Sequence, residues 1–154
     1  MKQNTEAQTT ITKVTKFLLD FMFYCGILAC VTLPFTIRAI APYYDKFEEF
    51  YLQAVILYFI DGVLAVLLVN ELRRMFKTVL NDDCFIQENV VSLQRMGNFA
   101  FAIAAVSTVR MFFYITPAIL VVILVFIVAG MFSKVLSQVF DRAVSYKLEN
   151  DLTI

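Results

Sequence analysis

The stretch from Asn70 to Asn98 reads NELRRMFKTVLNDDCFIQENVVSLQRMGN. It is the only long polar interval beyond the N-terminal tail, and it separates two pairs of apolar segments. Arg73, Arg74, Lys77 and Arg95 should keep it on the cytoplasmic side of a membrane, where loops collect basic residues. The pair of segments before it then reads as one hairpin of spanning helices, and the pair after it as a second. The expected fold class is an all-α integral membrane protein: four transmembrane helices as two hairpins with cytoplasmic helical extensions, in one domain covering 1–154.

Composition points the same way. Of 154 residues, 60% are hydrophobic and 17% charged, and the mean hydropathy is +0.76. A chain this apolar cannot cover itself with polar side chains, so lipid must solvate part of it. Zero net charge gives no global electrostatic case for direct nucleic-acid binding. The absence of His excludes His triads and His metal sites. No catalytic, cofactor or metal constellation is legible, and the chain is not expected to be an enzyme. The odd count of three cysteines, Cys25, Cys30 and Cys84, argues against a disulfide framework.

Working outward, Met1 to about Thr10 reads as a short, polar, mobile tail. The first span is expected at about 17–37 and the second at about 50–69, its helix continuing through Glu71 to Leu80. A lipoprotein box at Ile27-Leu28-Ala29-Cys30 is the competing reading of the first segment. The apolar residues after Cys30 and the interruption at Asp20 favour an uncleaved helix. Between the two spans, 38–49 forms an outer loop with Tyr43 and Tyr44 at headgroup level. Asn81, Asp82 and Asp83 form a turn inside the cytoplasmic loop 70–98. Within that loop a second helix starts near Ile86, with Ile86, Val90 and Leu93 on one face and Gln87, Glu88, Gln94 and Arg95 on the other. It lies on the inner leaflet or docks a soluble partner; both readings stand.

The third span is expected at about 99–115, with Ala100, Ala104 and Thr108 along one small-residue face. Whether that face packs within one chain or between copies in a homo-oligomer is open. Thr116 caps the fourth span, about 117–132, which starts at Pro117. A cytoplasmic helix at 133–150 carries the stripe Phe132, Val135, Leu136, Val139, Phe140, Ala143 and Val144. Lys2, Lys13, Lys16, the four basic residues of the loop, Lys134, Arg142 and Lys147 fall inside, against Arg38 and Lys46 outside. Both termini are therefore expected in the cytoplasm, and the protein in the inner (plasma) membrane.

Three charges fall within the spans: Asp20, Asp61 and Arg110. A charge at a bilayer centre costs about 3 kcal/mol on insertion scales, so it needs a partner or water. Asp20 lies close enough to the inner boundary to reach headgroup water. Asp61 lies about 16 Å along its helix, and Arg110 is the expected partner, linking the two hairpins. A register-fixing pair, a proton or ligand site, and no pairing at all are the alternatives.

Cys84-Phe85-Ile86-Gln87-Glu88-Asn89, followed by Leu93, Arg95, Met96 and Gly97, resembles a signature of one bacterial family of small four-span inner-membrane proteins, a domain of unknown function. The ending Glu149-Asn150-Asp151-Leu152-Thr153-Ile154 resembles its terminal signature. Cys84 departs from the proline often found there. Members of that family often lie beside genes for small helix-turn-helix regulators of the Cro/CI type. The resemblance thus implies such a regulator as a cytoplasmic partner. Phe85, Glu88, Asn89, Leu93, Glu149, Asn150, Asp151, Leu152 and Ile154 are the candidate partner-binding residues. For Leu152 and Ile154, burial in a partner's groove and packing on the middle loop are both open.

The leading expectation is an interaction or regulatory protein. It presents cytoplasmic helices to a soluble partner and shifts between two packings in response to a membrane signal. The alternative is a small transporter or export/immunity factor using the Asp61/Arg110 region. Few polar residues in the spans weigh against a path. An intramembrane aspartyl enzyme is the weakest reading, because Asp20 and Asp61 sit at different depths.

Overall fold

The computed structural model describes residues 2–40, 50–80, 84–113 and 117–151, and every regular element among them is an α-helix. The helices are α1 (Lys2–Ile40), α2 (Tyr51–Leu80), α3 (Gln87–Met111) and α4 (Pro117–Asp151). All four are long and apolar enough to cross a membrane, and the protein is a multi-pass membrane protein. At about 1.5 Å per residue, the 35 residues of α4 reach well beyond the roughly 30 Å hydrocarbon layer. The surplus length carries the charged residues.

Each helix packs on the next in sequence, α1 on α2, α2 on α3 and α3 on α4. Contacts between Asp20 and Arg73, Glu71 and Ser92, and Phe85 and Phe140 gather one part of every helix at a common, charged end. Helix α3 is the core of the assembly. It buries Val90, Leu93, Gly97, Ala100, Ile103 and Ala104, and also the polar Asn89, Ser92, Ser107 and Arg110. Many Phe, Leu, Val and Ile side chains of α1, α2 and α4 face outward, as expected where the solvent is hydrocarbon and interfaces rely on small and polar side chains.

Glycine sets the approach within each hairpin. A Cβ on Gly62 of α2 would stand 2.8 Å from the Cys30 Sγ of α1, and one on Gly130 of α4 would stand 2.9 Å from the Phe101 ring of α3. Neither hairpin could close as it does with a larger residue at its crossing.

Several elements differ from the sequence reading. The N-terminal tail is helical from Lys2; QNTEAQTT contains no Pro or Gly to stop a helix that Ile11, Val14 and Phe17 continue. The middle interval holds no separate surface helix, because α3 runs unbroken from Gln87 through the level of Asn98. Gly97 does not break it, since that position faces Lys134 and the Gly130 carbonyl of α4. At its other end α3 stops at Met111, with Phe112 and Phe113 turning back onto the Val109 and Arg110 carbonyls. Thr108 of the small-residue stripe is exposed, and its place on the packed face is taken by Ser107.

The α4 stripe also divides. Val144 is buried, while Phe132, Val135 and Val139 face outward, because the inner face of α4 is made by Gly130, Ser133 and Ser137. The outer-loop tyrosines Tyr43 and Tyr44, the turn at Asn81, Asp82 and Asp83, the Thr116 cap, and Leu152 and Ile154 lie outside the described residues.

Candidate functional site

The seam between α2 and α3, where the two hairpins meet, is lined by polar groups at three depths. Deepest is Asp61, partway along α2. Its Oδ2 accepts the Ser107 hydroxyl at 3.3 Å and Arg110 Nη1 at 3.3 Å. The guanidinium of Arg110 also lies over the Tyr58 ring, 4.4 Å from its centroid, so the cation is held by a carboxylate and a π face together. The two charges singled out in the spans are thus brought together across the seam. Asp61 Oδ1 and Arg110 Nε are buried with no hydrogen-bond partner among the described residues.

The second level is built on Glu71, just past the apolar run of α2. Its carboxylate is buried. Oε2 accepts the Ser92 hydroxyl at 2.8 Å, and Oε1 faces Arg95 at 3.4 Å and Arg74 at 3.6 Å. The third level is Asn89, which is 2% exposed. Its amide donates to Thr78 Oγ1 at 2.8 Å and to the Cys84 carbonyl at 2.8 Å. One side chain thereby ties the end of α2 and the start of α3 together.

Helix α4 is pinned to the same region. Ser133 donates to the Leu93 carbonyl at 2.8 Å and Ser137 to the Val90 carbonyl at 3.2 Å. Gln87 donates to Asp141 at 3.4 Å, and the Phe85 and Phe140 rings meet at 5.4 Å. On the other side, Arg73 Nε pairs with Asp20 Oδ1 at 2.5 Å, and its guanidinium covers the Phe23 ring at 4.3 Å. Asp20 thus meets an arginine, where the sequence reading sent it to headgroup water; Arg73 lies at the same level on the neighbouring helix. The outcome is a platform of helix ends fixed by polar side chains at the charged end.

The candidate partner-binding residues sort into two groups. Asn89 and Leu93, 2% and 3% exposed, are internal parts of the platform and present almost nothing to a partner in the monomer. Spacing placed Leu93 on a face with Ile86 and Val90, and the family resemblance added Asn89, but that side of the helix is covered by α2 and α4. Phe85 and Glu88 are exposed. Glu149 and Asn150 are exposed on the last turns of α4, and Asp151 ends the helix. Sequence reasoning passed over Glu71, Ser92, Ser133 and Ser137. The first was read only as a position on the continuing second helix, with no partner assigned, and isolated serines carry no periodic signal.

Between α2 and the start of α3 opens a cleft of about 620 Å³, lined by Arg74, Lys77, Gln87, Glu88 and Arg95 among others. Among the described residues, no group of three His, Cys, Asp or Glu side chains comes together as a metal site would require. The chain offers a charged cleft, a buried ion pair and exposed apolar helix ends, an arrangement suited to binding.

The family described as a protein of unknown function (DUF2975) matches residues 17–154. No curated protein and no solved structure is similar to the chain. The chain belongs to that family.

Proposed function

We propose that this member of the family is a membrane-held docking platform. It presents the ends of α2, α3 and α4 to a soluble cytoplasmic partner, a small helix-turn-helix DNA-binding regulator. The observation that carries this reading is the last part of α4. It extends beyond the apolar span and leaves Tyr146 70% and Leu148 59% exposed; Tyr146 lies opposite the face fixed by Ser137 and Val144, and Leu148 continues that face one turn past its last buried residue. Large apolar side chains on a rigid, water-facing helix suit burial by a partner. Phe85 and Glu88 continue the surface at the start of α3.

The charge distribution supports an inner-membrane orientation with both termini in the cytoplasm. Lys13, Lys16, Arg73, Arg74, Lys77, Arg95, Lys134, Arg142 and Lys147 belong to the charged end, and Arg38 and Arg110 to the other. Sequestration at the membrane would keep the regulator from DNA, and a packing change along the α2–α3 seam would release it.

Co-purification from gently solubilised native membranes tests this. The full chain is compared with one ending at Ser145, which lacks Tyr146 and Leu148. A DNA-binding protein enriched by the full chain and lost on truncation is the expected result; enrichment by neither counts against the reading.

A second reading, a small transporter, is favoured by Asp61 Oδ1 and Arg110 Nε, which lie deep in the spans with no hydrogen-bond partner among the described residues. Substrate flux abolished by Asp61→Asn would support it.

A further inference from the structure

We infer that the cleft between α2 and the start of α3 binds the phosphate of an anionic phospholipid headgroup. Among the described residues, three cations converge on it: Arg74 and Lys77, one turn apart on α2, and Arg95 from α3. Two carboxylates oppose them, Glu88 on the wall and Glu71, which faces both arginines through one oxygen. One positive charge of this set remains uncompensated, which matches the single negative charge of a phosphodiester.

Glu71 also acts as a positioning group. It is buried and held by Ser92, so it fixes Arg74 and Arg95 on two helices without occupying their remaining N–H donors. The arginine forks suit phosphate oxygens, and Lys77 adds a point charge. Helix α3 begins in the same cleft with no side-chain cap at Ile86.

Depth selects the lipid over a free anion. Arg74 lies five residues beyond Val69, where the apolar run of α2 ends, which is about 7 Å. Arg95 lies four residues before Phe99, about 6 Å. Both distances fall within the headgroup layer, which adds roughly 5–7 Å to each side of the hydrocarbon; Lys77, about 12 Å beyond Val69, reaches back toward it along its flexible stem. Basic pockets between spanning helices at this level are suited to anionic headgroups. The inference rests on the membrane setting alone and stands whether or not a regulator docks.

The test uses the full chain in neutral detergent, titrated with phosphatidylglycerol, phosphatidylcholine or inorganic phosphate. Bound molecules are counted by native mass spectrometry and the thermal midpoint is read in parallel. One phosphatidylglycerol is expected to bind in preference to phosphatidylcholine and to raise the midpoint. Arg74→Gln and Lys77→Gln, at exposed positions, should each weaken it about fivefold. The lipid-free midpoint of Lys77→Gln, which does not face Glu71, should stay unchanged. Lys13→Gln, an exposed cation at the same end but outside the cleft, should leave lipid binding as it was. Equal binding of both lipids, or equal weakening by Lys13→Gln and Lys77→Gln, would overturn the site in favour of diffuse surface charge. Displacement of phosphatidylglycerol by inorganic phosphate at cellular concentration would overturn the lipid as its occupant.

Discussion

Arg110 of α3 and Asp61 of α2 meet at 3.3 Å in the seam between the hairpins, the cation capped by the Tyr58 ring. Buried pairs contribute little net stability against an apolar replacement, yet removing one partner strands the other. Arg110→Ala is therefore expected to destabilise the protein by about 3 kcal/mol. Adding Asp61→Asn should recover about 1 kcal/mol by removing the stranded charge. Unfolding in mixed micelles measures both, and an unchanged stability in Arg110→Ala would show that the pair does not hold the seam.

At the charged end, Glu71 joins one helix to the next through Ser92 and Arg95. Glu71→Ala leaves a buried hydroxyl without its acceptor and should cost about 2 kcal/mol. Glu71→Gln keeps an acceptor for Ser92 and should cost about half as much. Equal losses would mean that charge, and not the hydrogen bond, carries the effect.

At the hairpin crossings the damage comes from added volume. Gly62→Val introduces carbon where Cys30 Sγ already lies 2.8 Å from a Cβ position, and overpacking of this sort costs about 2 kcal/mol. Leu124, 63% exposed on α4, is a control. Leu124→Val should change stability by less than about 0.5 kcal/mol. The same unfolding assay separates the two.

Much of this fold was legible in the sequence, because spanning helices are apolar throughout and basic residues punctuate them. The segments containing Asp61 and Arg110 were recognisable because charges are rare in such runs, and an acid and a base at compatible depths have few other partners. The interval 70–98 was harder. Its polarity suggested a loop with its own surface helix, yet α3 runs straight through it, since Gly97 is a packing residue and not a terminator. Asn89 and Leu93 were visible as part of a motif, but sequence alone could not tell a covered face from an open one. The partner of Asp20 was not foreseen, because Arg73 lies 53 positions away on another helix.

Asn89 offers a test of how rigid the charged end is. Its amide holds the Cys84 carbonyl and Thr78 together. Asn89→Ala should release the start of α3 and speed labelling of Cys84 by a soluble maleimide. A lost contact of about 1.4 kcal/mol corresponds to about a tenfold rise in the open fraction. Cys25 and Cys30, on the α1 span, should stay slow in membranes. Labelling of Cys84 at the parent rate would show that Asn89 does not hold the platform closed.

Docking of a soluble regulator meets its sharpest test in site-specific photocrosslinking in native membranes. The probe replaces Tyr146, exposed on the α4 extension, or Phe112, 87% exposed at the opposite end of the assembly. An adduct between the Tyr146 probe and a soluble DNA-binding protein is expected, with none from Phe112. No soluble adduct from Tyr146, or the same adduct from both positions, would overturn the docking platform.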